Sequence, residues 1–270
     1  MFPWKLASIL LSTVARRPGR VADLIFHLSE MYQVAYKNVC YDFAINGELW
    51  LLDRLKDVTV EIIFDVGANH GEWSAAASAR FPNAAIHAFE IVPATYHYLE
   101  DTARRIPNIR PNPFGLADHT GFIDVNVWQN NDTVSSVLQQ SGMRKDARRS
   151  VIQCAVRRAD EYCYDQGINR IDILKIDVEG SENLVLNGFG DLWDGENIGL
   201  VQFEYGMANI YSHYLLIDFW RDFEKRNYRI GKLMPNGIKF TDFSPLYEDF
   251  RGPNYVAVHK SRKDLFQVLG

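Results

Sequence analysis

The chain has 270 residues, enough to bury a sizeable core as one large α/β domain with an appendage. Its 47% hydrophobic and 23% charged residues are ordinary for a soluble globular protein, and a net charge of −5 supplies no broad basic field, which argues against non-specific nucleic-acid binding. Three cysteines, Cys40, Cys154 and Cys163, are odd in number and lack metal-site spacing, so they read as reduced thiols of a cytoplasmic protein.

Residues 1–60 read as a helical preface. Pro3 to Ala15 is apolar but shorter than the ~20 residues that a membrane span needs. Arg16-Arg17-Pro18 follows it where a signal peptide would carry small residues for cleavage. The expectation is an amphipathic helix that packs on the domain, on a partner or at a membrane surface, three outcomes the sequence alone does not separate. Val21 to Val34 and Glu48 to Leu55 continue the helical pattern, with apolar residues three and four apart.

From Val60 to Arg110 strand and helix alternate, as a parallel sheet requires. The apolar run Ile62-Ile63-Phe64 predicts a buried parallel strand. Asp65, Gly67, Asn69 and Gly71 crowd the turn that follows, and Trp73 to Phe81 predicts a helix ended by Pro82. This loop lacks the middle glycine of a dinucleotide fingerprint. Asp65 at its mouth would repel a phosphate and suit a ligand that carries an ammonium and a sulfonium. The next strand, Ala84 to Phe89, ends at Glu90, about 20 residues past the glycine turn, where an acid bonds ribose hydroxyls. An acid for an aminoacyl end, an acid for a ribose and no phosphate site together describe S-adenosylmethionine. The expected cofactor residues are Asp65, Gly67, Ala68, Asn69, Gly71, Glu90 and Ile91; the plainer alternative is that Asp65 caps the helix and Glu90 is solvated.

Tyr96 to Ile106 predicts a second helix, and Ile109 to Pro113 a short third strand opening into the loop 114–118. By analogy with nucleotide-binding folds, Gly115, Leu116 and Asp118 of that loop are weaker cofactor candidates. Gly121 to Arg158 breaks the rhythm. Phe122 to Val127 and Val151 to Val156 alternate apolar and polar, as two antiparallel strands do. Between them lie the polar run Gln129 to Ser136 and the basic run Arg144 to Arg149, either a grip on an anionic acceptor or a solvated face.

Ile171 to Asp177 predicts the strand beside the first one, with Lys175 and Asp177 on one face. Glu179 and Gly180 form the turn, and Ser181 to Leu186 starts the next helix. Ile198 to Glu204 is again a strand ending in an acid, so three strand ends deliver Glu90, Asp177 and Glu204 to one edge. Leu215 to Lys225 is helical, and Tyr228 to Leu233 with Asn254 to His259 form a final hairpin pair. The loop between them carries Phe240, Phe243, Tyr247 and Phe250, aromatic surface for a sugar ring or for the core.

Three stretches, Phe64-Asp65-Val66-Gly67-Ala68-Asn69-His70-Gly71, Phe89-Glu90-Ile91-Val92-Pro93 and Leu174-Lys175-Ile176-Asp177-Val178-Glu179-Gly180-Ser181-Glu182, resemble the FkbM family of S-adenosylmethionine-dependent O-methyltransferases. The similarity runs over about residues 46–260, and its third stretch is the most specific. It implies a class I methyltransferase fold, a Rossmann-like seven-stranded and mostly parallel sheet with helices on both faces. Here that sheet would fill a domain of residues 59–270, with a small β insertion at about 119–158 and a helical extension at 1–58. The resemblance also implies methylation of a hydroxyl on a saccharide or glycoconjugate, or on a non-sugar molecule such as a polyketide. Family members carry a pair like Ser135-Ser136, near the acceptor by that resemblance.

A hydroxyl acceptor needs a base or a metal to take its proton. In one reading Asp177, Glu204 or His213 accepts it, with Lys175 neutralising the acids; histidine suits neutral pH as a residue type. In the other, Asp177, Glu179 and Glu204 hold Mg²⁺, the less favoured reading because no tight acidic triad is spelled out locally. A nicotinamide oxidoreductase and a non-catalytic cofactor-binding scaffold in glycan assembly are the rivals from other classes.

Overall fold

The computed structural model describes residues 3–17, 19–128, 135–136 and 149–270. Helices α1 (Pro3–Ala15) and α2 (Arg20–Tyr36) precede α3 (Glu48–Leu55). Then come β1 (Ile62–Val66), α4 (Glu72–Arg80), β2 (Ala85–Phe89), α5 (Pro93–Arg105) and β3 (Ile109–Asn112). The insertion holds β4 (Gly115–Ala117), β5 (Gly121–Trp128), β6 (Ser135–Ser136) and β7 (Arg149–Arg158). The alternation resumes with α6 (Ala159–Gln166), β8 (Ile171–Ile176), α7 (Glu182–Gly188), α8 (Asp191–Asp194) and β9 (Ile198–Glu204). It closes with α9 (Asn209–Ser212), α10 (Leu216–Lys225), β10 (Tyr228–Met234), β11 (Gly237–Phe240), β12 (Asn254–His259) and α11 (Lys263–Leu269).

The main sheet runs β11-β10-β12-β9-β8-β1-β2-β3. Its strands from β9 to β3 are parallel, and β12, β10 and β11 pair antiparallel at the other end. Strands buried on both faces need apolar residues at every position, and β8 is buried throughout its six residues. Period-two alternation divides the core. Phe64, Leu174 and Ile176 pack on one face with Phe203 and Phe219, whereas Ile63 and Ile173 pack on the other with Leu51, Trp73 and Leu265.

The fold is the expected class, with one strand more than the seven expected. Gly237–Phe240, placed in a loop on sequence, pairs with β10 from Met234↔Gly237 to Gly231↔Phe240. That register leaves Pro235-Asn236 as a two-residue turn. Segment 114–118 is likewise more than a loop, since Gly115–Ala117 lies parallel to β7. The insertion forms its own sheet, β4-β7-β5-β6, with β5 and β7 antiparallel as predicted. The runs 129–134 and 144–148 fall outside the described residues, so the polar and basic stretches named above do too, apart from the backbone of Ser135, Ser136 and Arg149.

Leu51, Leu52 and Leu55 of α3 are fully buried in the core beneath β1. The sheet's core therefore reaches back to α3, while among the described residues α1 and α2 contribute no buried residue to it. Among the described residues no helix is long and apolar enough to cross a membrane.

Candidate cofactor and acceptor site

The site lies at the carboxyl ends of β1, β2, β8 and β9. Gly67 follows β1 with φ +81°, and a Cβ built there would stand 1.9 Å from the Asp177 carbonyl oxygen. Only glycine meets both demands. The Gly67 and Ala68 N–H groups donate to the Phe89 carbonyl, and the Asp177 N–H donates to the Val66 carbonyl. The turn is thus laced to the ends of both neighbouring strands. Asn69 follows in the left-handed region, and its N–H donates to Glu90 Oε2 at 3.0 Å, while the Val92 N–H donates to Glu90 Oε1 at 2.8 Å. Burial pushes the Glu90 carboxyl upward and these two bonds pull it back.

Two cavities share this wall. The smaller, about 130 Å³, is bounded by Glu90, Ile91, Gly115, Leu116, Val156 and Val178 with several other apolar residues. A narrow apolar slot with a fixed carboxylate at its edge matches a flat base bearing a ribose. The larger, about 800 Å³, is bounded by the glycine turn, by Lys175 and by the carboxylates of Glu48, Glu72, Asp177, Glu179, Glu182 and Glu204. Gly67, Asn69, Asp177 and Glu179 border both.

The charge arrangement of the larger cavity turns on Lys175. Its Nζ lies 3.3 Å from Asp65 Oδ1 and 3.4 Å from Asp177 Oδ2. Burial favours the neutral amine, but Asp65, Asp177 and Glu48 outweigh it and keep Lys175 charged. Enclosure in the cavity opposes the Asp177 carboxylate, which water still reaches, yet Lys175 and a hydrogen bond from Glu204 hold it below the usual carboxylate range. Glu204 moves the other way, well above that range, through burial and the adjacent Asp177 charge. The pair therefore carries one proton and one negative charge. Desolvation and Asp177 push Glu179 up to about 8. Glu182 rises to about 7 through desolvation, although its Oε1 accepts the N–H groups of Val178 and Gly180.

Of the residues singled out on sequence, Gly67, Ala68, Asn69, Lys175, Asp177, Glu179 and Glu204 border the larger cavity, and Glu90, Ile91, Gly115 and Leu116 the smaller. Gly71 caps α4 behind the wall. Asp65 borders neither cavity: it is fully buried, and its carboxylate meets Lys175 and accepts from Ser74 Oγ at 2.7 Å. The cation it faces in this structure is therefore the chain's own lysine. His213 is exposed at the end of α9 and borders neither cavity, and Asp118 pairs with His119. Phe240, Phe243, Tyr247 and Phe250 pack on the two cores instead of bordering the cavities.

Several bordering residues escaped the sequence reading. Glu48 opens α3 and accepts from the Asn46 side chain two residues before it and from the Gln202 and Asn254 side chains of two distant strands, β9 and β12. Tyr41, Phe43, Trp73, Met207 and Asn209 supply the rest of the wall. Glu182 stood in the third motif, and its spacing from Val178 was the available signal. Among the described residues no group of three or more His, Cys, Asp or Glu side chains is arranged to hold a metal ion.

The methyltransferase FkbM domain profile matches residues 65–230. Among curated proteins, the 31-O-demethyl-FK506 methyltransferase FkbM of Streptomyces tacrolimicus is 27% identical over 48% of this chain and 60% of its own length. Methyltransferase sdnD of Sordaria araneosa is 25% identical over 58% of this chain and 67% of its own length. The hexuronic acid methyltransferase AglP of Haloferax volcanii is 23% identical over 74% of this chain and 80% of its own length. A precorrin-6y C5,15-methyltransferase structure from Geobacter metallireducens overlays with a TM-score of 0.43 at 13% identity, covering 79% of this chain and 86% of that one.

Proposed function

The chain belongs to the FkbM methyltransferase domain family and depends on S-adenosylmethionine, and on that premise we propose that it methylates a hydroxyl of a saccharide or glycoconjugate. The observation that carries the reading is the pair of cavities on one wall: an apolar slot edged by Glu90, meeting at Gly67 and Asp177 a roomy chamber set with carboxyl groups and aromatic rings. The slot residues and the glycine turn would hold the cofactor. When bound, it supplies an electrophilic methyl group.

The chain's own part is positioning and proton transfer. Asp177 reaches into the larger cavity, kept ionised by Lys175, and accepts the proton of an acceptor hydroxyl. Before transfer the Glu204 carboxyl, protonated beside it, hydrogen-bonds the Asp177 carboxylate and spreads its charge over two carboxyl groups; after transfer both carboxyls carry a proton and the pair is neutral. Asp65 and Ser74 fix Lys175 from behind and act as positioning residues. The Haloferax volcanii relative, a hexuronic acid methyltransferase by name and matched over most of both chains, supports a sugar acceptor. A second reading, a non-sugar acceptor, draws support from the FK506 methyltransferase and from Tyr41, Phe43, Trp73 and Met207 along the chamber. Buried free Cys154 and Cys163 fit a cytoplasmic site of action.

Calorimetric titration with S-adenosylhomocysteine, with and without Mg²⁺ and with NADH as control, tests the cofactor assignment. Transfer of radiolabelled methyl to a panel of saccharides and of polyhydroxylated non-sugars then tests the acceptor. Incorporation into saccharides that drops about 100-fold in Asp177→Asn is the expected result. Incorporation only into non-sugars moves the protein to the second reading, and cofactor binding without transfer to any acceptor leaves a scaffold.

A further inference from the structure

Outside the sheet, α1 and α2 expose a large apolar surface. Helix α2 buries no residue, and Val21, Leu24, Ile25, Leu28, Met31 and Tyr32 recur three and four apart along one side. Leu24 is 59% exposed and Met31 68%. Asp23 and Glu30 fall on the opposite side by the same helical spacing. Helix α1 adds exposed Leu6, Ile9, Leu10 and Leu11. Uncovered apolar area on this scale marks an interaction surface.

Charge says what covers it. Residues 1–20 contain Lys5, Arg16, Arg17 and Arg20 and no acid, whereas the other 250 residues hold 25 Lys and Arg against 34 Asp and Glu. The three arginines lie on and beside the segment that joins the two helices, all exposed. At its other end α2 is tied to the domain. Lys37 ion-pairs with Asp249, and the Asn38 amide donates to the carbonyls of Asn46 and Leu233. The basic end is therefore the end turned away from that tether. A symmetric parallel pairing of two copies would bring these cations together with no acid among residues 1–20 to offset them. An anionic lipid surface takes both the apolar stripe and the cations.

We propose that α1 and α2 form a docking arm for an anionic membrane surface. The apolar side of α2 and the leucines of α1 enter the acyl boundary while Arg16, Arg17 and Arg20 meet headgroup phosphates. At 13 and 17 residues α1 and α2 are about 20 and 26 Å long, short of the ~30 Å hydrocarbon layer, so the arm lies on the bilayer and does not span it.

Co-sedimentation of the full chain with phosphatidylcholine vesicles, and with vesicles about one-third phosphatidylglycerol, tests this. Binding at least ~10-fold stronger to the anionic vesicles, and weakened by high salt, is the expected result. Arg16→Glu with Arg17→Glu, and separately Leu24→Glu with Leu28→Glu, should each abolish it while affinity for S-adenosylhomocysteine stays unchanged. Absence of binding to anionic vesicles, or equal binding to both kinds, overturns the proposal. So does a stable dimer in sedimentation equilibrium that Leu24→Glu with Leu28→Glu dissolves, because the occupant is then a second copy.

Discussion

Replacing Lys175 by methionine keeps the aliphatic stem and removes the cation between Asp65 and Asp177. Asp65 is fully buried, 3.3 Å from Lys175 Nζ, so it is left in the core without a counter-charge, with the Ser74 hydroxyl as its remaining hydrogen-bond donor. Breaking a buried pair in this way costs about 3–5 kcal/mol. Asp177 faces the cavity and adds little to that loss, since water reaches it. At ~2 °C per kcal/mol for a chain of this size, the melting temperature should fall by about 6–10 °C. Adding Asp65→Asn to Lys175→Met withdraws the stranded charge, so the double variant should lose about 1–3 kcal/mol less than the two single losses together. The pH profile carries a second signature. Asp177 has a depressed folded pKa, so its contribution is present above the unfolded carboxylate range and is lost as pH falls through the folded value. Without Lys175 that acid-side slope should flatten. Scanning calorimetry at several pH values reads all three quantities. A Lys175→Met melt within ~2 °C of the parent, or strictly additive single variants, would refute the account of Lys175 as the cation that holds Asp65 and Asp177 together.

Gly67→Ala should remove measurable S-adenosylhomocysteine binding in a calorimetric titration, because its Cβ meets the Asp177 carbonyl at 1.9 Å; affinity within about twofold of the parent would contradict that wall. Glu90→Ala should weaken the same binding by at least ~10-fold, a loss of about 1.4 kcal/mol, and lower the melting temperature by a few degrees, because the Asn69 and Val92 N–H groups lose their acceptor. Glu179 at about 8 and Glu182 at about 7 lie above their unfolded values, so the folded state holds extra protons and stability falls as pH rises from the unfolded carboxylate range towards 8. Glu182→Gln should recover about 1–3 kcal/mol at pH 8 but nothing near pH 4.5, and urea unfolding at the two values checks the sign. Lys175, the one lysine or arginine that borders the larger cavity among the described residues, is already paired with Asp65 and Asp177 and stands among acidic side chains, so the cavity should turn over an uncharged sugar faster than the matching uronic acid at equal concentration; the reverse order in a methyl-transfer assay would refute this electrostatic account.

What the sequence disclosed followed the range of the interactions involved. Strand β1, its glycine turn and α4 are specified by neighbours within a dozen residues, and α1 and α3 begin and end where apolar spacing and breakers put them. Glu90 and Asp177 were legible because strand ends in a parallel sheet converge on one edge. The partner of Asp65 was not, because Lys175 is 110 residues away and only the β1–β8 register sets the two opposite each other. Glu48 escaped for the same reason, since its bonds to Gln202 and Asn254 exist only after β9 and β12 are paired. Strand β11 was lost to its brevity, although Pro235-Asn236-Gly237 is a turn signal that reads correctly once β10 is in place. Histidine chemistry drew attention to His213, and residue type carries no information about which way a helix end faces.

The lacing of Gly67 to Phe89 on one side and of Val66 to Asp177 on the other leaves no joint within the shared wall. The rest of the chamber is made differently, from Tyr41 and Phe43 before α3 and from Gly206 to Asn209 after β9, short connectors that take no part in the slot. If the slot grips the cofactor and the chamber chooses the acceptor, as proposed above, the two tasks are separable by inheritance. Exchanging those two connectors between relatives should retarget the enzyme while its donor chemistry is passed on intact, so a lineage can diversify its products without reinventing its reagent.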